Sequence, residues 1–285
     1  MPEPVSVIVT TYNREDALGA VLRALDRQTD QDFEVVVADD GSGKRTAETV
    51  EAWKKKAAYR LTHVWHEDRG FRAAEIRNRA ILASSGSYCI FLDGDCIPRP
   101  DFISAHRRLA ERGWFVTGNR VLMSQALTET VLRDGLEPEQ WKLGSWLKRR
   151  AGGAINRLIP LLSLPLGLLR KLRPHAWRGA RSCNLAVWRS DLDQVDGFDT
   201  SFSGWGREDS DLLVRLLHAG VRRKDGIFAT GVLHLYHPEA DRSRLEQNDR
   251  QLDQSLMDRH LRAAKGLSML APAGPSREMG ARASQ

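Results

Sequence analysis

The run YCIFLDGD, residues 88–95, passes without a spacer from apolar side chains to Asp93-Gly94-Asp95. Continuous apolar residues predict a strand buried on both faces, and such strands belong to parallel sheets covered by helices. The acids then stand at the strand's C-terminal end, where open α/β sheets bind their ligands. Asp93 and Asp95 are expected on one side of an extended segment, with Gly94 between them letting a bulky anion approach the backbone. Two carboxylates at a sheet mouth suit Mg²⁺ or Mn²⁺, whose remaining positions are filled by phosphate oxygens. Asp-Gly-Asp turns without a ligand are spelled the same way, so the flanking chain must decide.

The flanking pattern supplies the sheet. Residues 5–10 (VSVIVT) and 33–38 (FEVVVA) predict further buried strands, and 61–65 a shorter one. Ala17, Leu18, Val21, Leu22 and Leu25 fall at helical spacing, and residues 46–58, 73–83 and 101–112 predict three more helices. The expected fold class is α/β, a Rossmann-like, mixed but mainly parallel sheet flanked by helices. Thr11, Tyr12 and Asn13 follow the first strand and Asp39 and Asp40 the second, so three polar clusters share one mouth. Neither G-x-G-x-x-G after the first strand nor G-x-x-x-x-G-K-[ST] occurs, which disfavours a dinucleotide dehydrogenase and a P-loop enzyme.

A chain of 285 residues can bury a core of one large domain with an appendage. Its formal charge of +6 suits an anionic partner without naming one. Cys89, Cys96 and Cys183 lack metal-ligand spacing and read as reduced core thiols of a cytosolic protein. The N-terminal MPEPVSVIVT has no basic leader pattern, and no apolar segment is long enough to span a bilayer.

Residues 158–169 (LIPLLSLPLGLL) follow Lys148-Arg149-Arg150 and precede Arg170, Lys171 and Arg173. Pro160 and Pro165 argue against a straight helix. Apolar residues between cations suit an anionic membrane surface; a buried connector with solvated basic ends is the alternative. Residues 181–187 predict another strand. FSGWGREDSDLLVRLL, residues 202–217, predicts a loop around Trp205 and a helix over 207–219, with Glu208, Asp209 and Asp211 in its first turn. The helix dipole alone would favour acids there. It does not account for Gly204-Trp205-Gly206, which sets a flat aromatic face beside carboxylates, a common way to hold a sugar. VLHLYH, residues 232–237, predicts a last strand; His237 is the better candidate for a metal site and His234 reads as structural. Residues 244–265 predict a polar helix and 271–285 a disordered tail.

VSVIVTTYNRED, VVVADDGS, IRNRAI and FLDGD, taken together, resemble the inverting glycosyltransferases of family 2, which have the GT-A fold. FSGWGREDSDLL resembles the acceptor-side motif of the β-1,4-galactosyltransferases and of the chondroitin-type polymerases. The resemblance covers residues 4–122 and 178–240 and leaves the middle insert outside. It implies that Thr11, Tyr12, Asn13 and Asp40 hold the nucleoside of a UDP-sugar, with Asp40 on the uracil or ribose. Arg77 would approach the donor phosphates, with Asp93 and Gly94 at the ribose or sugar. Asp95 and His237 would hold Mn²⁺ or Mg²⁺. Asp209 would be the catalytic base with Glu208 beside it, and Trp205, Gly206 and Glu208 would meet the acceptor. Many members carry a further acid where this chain has Cys96, which bears on metal affinity.

One GT-A domain is therefore expected over 1–240. It divides into a nucleotide-sugar half (1–122), an insert (123–177) and an acceptor half (178–240), followed by a C-terminal helix within 241–270. The expected reaction is single-displacement transfer of a sugar to a hydroxyl of a glycan or lipid-linked glycan, as in envelope polysaccharide or lipopolysaccharide synthesis. The Glu208–Asp209 repulsion would raise the proton affinity of one of the pair. A nucleotidyltransferase and a non-catalytic sugar-binding protein are the other readings. Nucleic-acid binding ranks lowest, because the cations surround the apolar insert instead of lying among aromatics. The place expected is the cytoplasm, peripheral to the inner face of the membrane.

Overall fold

Alternation along three strands decides the layering. In β1 (Val5–Thr11), Val5, Val7 and Val9 join one apolar cluster while Ile8 joins another on the opposite face. The same split runs through β2 (Phe33–Asp39) and β4 (Tyr88–Asp93), with α1 (Glu15–Asp26), α2 (Lys44–Lys54), β3 (Arg60–Trp65) and α3 (Ala73–Ala83) placed between them in the chain. A strand buried on both faces needs a helical layer on each. Helices α1 and α2 cover one face. On the other, α3 is joined by α8 (Glu208–His218), whose Leu212, Leu213 and Leu216 complete the second cluster.

The computed structural model describes residues 4–239 and 241–270, so the tail expected at 271–285 lies outside the described residues. After β4 the chain forms β5 (Cys96–Pro98), α4 (Phe102–Leu109), β6 (Trp114–Thr117), β7 (Arg120–Leu122), α5 (Gln125–Arg133) and α6 (Leu143–Ala151). It continues through β8 (Asn184–Trp188), α7 (Arg189–Gln194), α8, β9 (Arg222–Asp225), β10 (Val232–His234) and α9 (Leu245–Asp258). Seven strands form one sheet in the order β3-β2-β1-β4-β8-β6-β9. β8 runs antiparallel to β4 and β6, and the remaining pairs are parallel, which is the mixed, mainly parallel sheet expected. The order reverses between β1 and β4, which is where such sheets open a crevice.

One expectation changes. The chain is not extended through Asp95: β4 ends at Asp93, and residues 94 and 95 form a turn into β5. A Cβ at Gly94 would stand 3.0 Å from the Thr10 carbonyl and 3.1 Å from Thr11 Oγ1, so this turn also lies tight against β1. The insert is partly core, since Val131, Trp146 and Ile155 are buried against the first cluster. No helix among the described residues is long and apolar enough to cross a membrane.

Candidate active site

A second, three-stranded sheet of order β5-β10-β7 builds the acidic corner. Antiparallel pairing sets His234 opposite Cys96, and the Leu235 N–H donates to the Asp95 carbonyl at 2.9 Å. Residues far apart in sequence are thereby fixed on one carboxylate. His234 Nε2 lies 3.5 Å from Asp95 Oδ1 and His237 Nε2 3.5 Å from Oδ2. One ligand atom from each of the three residues falls within 4.8 Å of the others. His234, expected to be structural, thus stands in the cluster with His237. Burial foremost pushes His234 down to about 4, so the ring is neutral and its lone pair available. Cys96, at the position where an acid was expected to be missed, donates its thiol hydrogen to Asp95 Oδ1 at 3.5 Å.

Arg77 joins this corner to the opposite wall. It projects from α3, is buried, and donates to Thr10 Oγ1 (3.1 Å), to Glu208 Oε1 (3.1 Å) and to Asp93 Oδ1 (3.4 Å). α3 and α8 cover the same face of the sheet, which is why a helix early in the chain meets the start of a late one. Burial alone would lower the basicity of Arg77, but Asp93 and Glu208 outweigh it and hold the guanidinium charged. Desolvation is also the first reason that Asp93 and Asp95 sit above the ordinary carboxylate range, with Arg77 opposing it at Asp93 and His237 at Asp95.

The adjacent acids of α8 part company. Glu208 is buried, turned inward onto Arg77, and pushed up to about 7. The main cause is burial and the charge of Asp209 comes second, whereas repulsion alone was expected. An inward Glu208 that salt-bridges Arg77 is placed to orient that guanidinium. Asp209 is only partly buried; its Oδ2 accepts weakly from the Ser182 N–H at 3.4 Å and its Oδ1 from Ser210 Oγ at 3.3 Å.

Trp205 sits in a loop whose backbone is left-handed at Gly204, Gly206 and Arg207, with φ of 72°, 106° and 79°. Glycine adopts such angles without strain, and a Cβ at either glycine would also press on Arg244 or Leu245. The loop is held from outside by α9. The buried Asn248 donates to the carbonyls of Ser203 (3.2 Å) and Gly206 (2.8 Å), and the Arg242 guanidinium lies 5.2 Å from the Trp205 ring. Neither contact was foreseen: a polar helix with one buried asparagine carries no sequence signal of what it buttresses.

At the ends of β1 and β2 the expected nucleoside residues do converge. Asn13, at φ 47°, accepts from the Gly43 N–H at 2.9 Å, and its own N–H donates to Ser42 Oγ at 2.8 Å. Exposed Tyr12 donates to Asp68 at 2.8 Å. Thr11 Oγ1 is buried and has no hydrogen-bond partner among the described residues. Asp40 is buried and already accepts from the Arg72 N–H (2.9 Å), while pairing with His66 Nε2 (2.7 Å). His63 pairs in the same way with Asp39 at 3.0 Å. These two β3-side histidines were missed, and they hold the buried carboxylates of Asp39 and Asp40 in place.

A family model described as glycosyl transferase family 2 matches residues 6–159, and one described as the N-terminal domain of galactosyltransferase matches 170–238. The first match runs through most of the segment expected to stand apart as an insert. Validoxylamine A glucosyltransferase of Streptomyces hygroscopicus subsp. limoneus is 32% identical over 76% of this chain and 48% of its own length. Chondroitin synthase of Escherichia coli is 25% identical over 82% of the chain and 34% of its own length. The chain thus spans about half, or less, of these curated relatives. Among solved structures, a mannosyltransferase of Pyrobaculum calidifontis in complex with GDP-Man and Mn²⁺ superposes with a TM-score of 0.58 at 19% identity, over 96% of this chain and 66% of that one. Staphylococcus aureus TarS 1-349 in complex with UDP gives 0.56 at 14% identity, over 93% and 68%. These likenesses show the GT-A fold, and the family match over more than half the sequence shows that the chain belongs to glycosyl transferase family 2.

Proposed function

We propose that the chain transfers a sugar, with inversion, from a UDP-sugar to a hydroxyl of a glycan or lipid-linked glycan of the cell envelope. The observation that carries this reading is Arg77, which ties the carboxylates at the end of β4 to the start of α8, so that donor and acceptor groups face one crevice. Thr11, Tyr12, Asn13 and Asp40 would take the nucleoside, with Asp93 and Arg77 at the sugar and phosphates. Asp95, His234 and His237 would hold the cation; two imidazole nitrogens beside one carboxylate suit Mn²⁺ better than Mg²⁺, which takes oxygen ligands. When bound, the cation would neutralise charge on the departing diphosphate. Asp209 would accept the proton of the attacking hydroxyl, because it is the acid of the pair that reaches solvent. Trp205 would stack on the acceptor sugar, which aligns the hydroxyl for a single displacement.

Calorimetry with UDP, and with GDP and CDP as controls, tests the donor half. UDP is expected to bind only with Mn²⁺ present, and Asp95→Ala to weaken it by at least about 100-fold, in line with the loss of a metal ligand. No nucleotide binding under any condition would overturn the reading.

The acceptor half has its own test. Asn248→Ala removes both donors from the Trp205 loop and leaves two carbonyls to find water, at a cost of about 1–3 kcal/mol. The KM for acceptor is expected to rise about tenfold, with UDP affinity unchanged. Equal loss of both would place Asn248 in general stability instead.

A further inference from the structure

Residues 160–169, which neither family match includes, lie in a ridge along the sheet edge formed by β9, built around two short 3₁₀ helices, Ile159–Leu161 and Gly167–Lys171. Its core side is anchored. Arg170 is buried and donates to the carbonyls of Asp225 (2.9 Å), Ile227 (2.6 Å) and Leu164 (2.9 Å), and the Leu164 N–H donates to Phe228 O at 2.9 Å. Pro160 O packs where a Cβ on Gly231 would stand, next to β10 and its His234.

The outer side of this fixed ridge is apolar. Leu164, Leu168, Leu169 and Leu172 are 48%, 81%, 60% and 73% exposed, beside exposed Ile159 and Leu162. Single exposed leucines are ordinary; several on one anchored ridge mark an interaction surface. Exposed Arg157, Arg173 and Arg178 flank it in the chain. A cavity of about 540 Å³ opens beneath Leu164 and Leu168 and is lined also by Arg108, Lys171, Lys224 and Glu111. Glu111 pairs with both lysines (2.6 and 2.9 Å), so the cavity remains net positive.

We infer that this ridge docks the protein on an anionic phospholipid surface: the leucines enter the acyl boundary, and a headgroup phosphate enters the cavity between Arg108 and the lysines. Apolar side chains projecting from a cationic rim match a negatively charged leaflet, in which apolar insertion and charge attraction add. A groove for a protein segment would more commonly enclose its apolar residues than project them. Vesicle docking of this ridge is independent of sugar transfer and is measured without turnover.

The test is co-sedimentation of the full chain with phosphatidylcholine vesicles, with and without phosphatidylglycerol. Binding is expected to be at least about tenfold stronger to anionic vesicles and to fall with salt. Leu168→Ser/Leu172→Ser should lower it at least about tenfold, and Arg108→Glu should lower it while binding to neutral vesicles is unchanged. The circular-dichroism spectrum and melting temperature of each variant report that the fold is intact. Wild-type binding no stronger to anionic than to neutral vesicles, or unaltered by the leucine substitutions, would overturn the inference. So would a doubled solution mass that the leucine substitutions abolish, since a second copy would then be the occupant.

Discussion

Asp209→Asn is expected to lower kcat for sugar transfer by about 10³-fold, within the usual range for loss of a general base, while UDP affinity and melting temperature stay near wild type. The asparagine keeps the shape and can still accept from the Ser182 N–H, so little structural penalty follows. What it loses is the capacity to take a proton. Glu208→Gln provides the contrast. Glu208 faces Arg77 from a buried position, so its loss should act on donor geometry and cost about tenfold or less. Single-turnover kinetics on both variants, with UDP binding measured in parallel, separates the two roles. Should Asp209→Asn retain transfer while Glu208→Gln abolishes it, the assignment of base and positioning group is reversed.

The division of labour between these neighbours was not legible in the sequence. Glu208 and Asp209 are adjacent acids in a helix's first turn, and only packing decides which one turns onto Arg77. The parts read correctly are those whose signal is local: β1, β2 and β4 are β-branched or apolar runs, and α3 matches its expected bounds of 73–83. β5, β7 and β10 escaped or blurred because each has only three residues, too few to show a period, yet their sheet brings Asp95 to His234. β9 reads RRKD, a charged edge strand with no apolar pattern at all. His63 and His66 became visible as site residues only once Asp39 and Asp40 lay against them, a long-range contact that composition does not announce. His237 was legible from its place at the end of the last strand-like run, and His234 was set aside because a lone strand histidine is usually structural.

Arg77→Met should destabilise the protein increasingly above pH 7, by about 1.4 kcal/mol per pH unit, because it leaves Glu208 buried without its cation. Asp93 loses the same partner but its side chain is about a third exposed and can turn to water, so Glu208 carries most of the cost. The effect has a definite pH dependence. Glu208 is already pushed up to about 7 in the native protein, and Arg77 is one of the groups holding it down. Without Arg77 the folded-state proton affinity of Glu208 rises further. A raised carboxyl binds its proton in the folded state over a range where the unfolded chain has lost it, so stability falls as pH rises through that range. The penalty of Arg77→Met should therefore be small near pH 5, where Glu208 is neutral in both proteins, and amount to about 1.4 kcal/mol at pH 8, one unit above the native value. Adding Glu208→Gln removes the buried charge and should recover more than half of the loss at pH 8 while changing little at pH 5. Urea denaturation of the wild type, both single variants and the double variant at the two pH values measures this coupling. Equal destabilisation at both, with no rescue, would mean that Arg77 stabilises through its packing against Phe198 and not through Glu208.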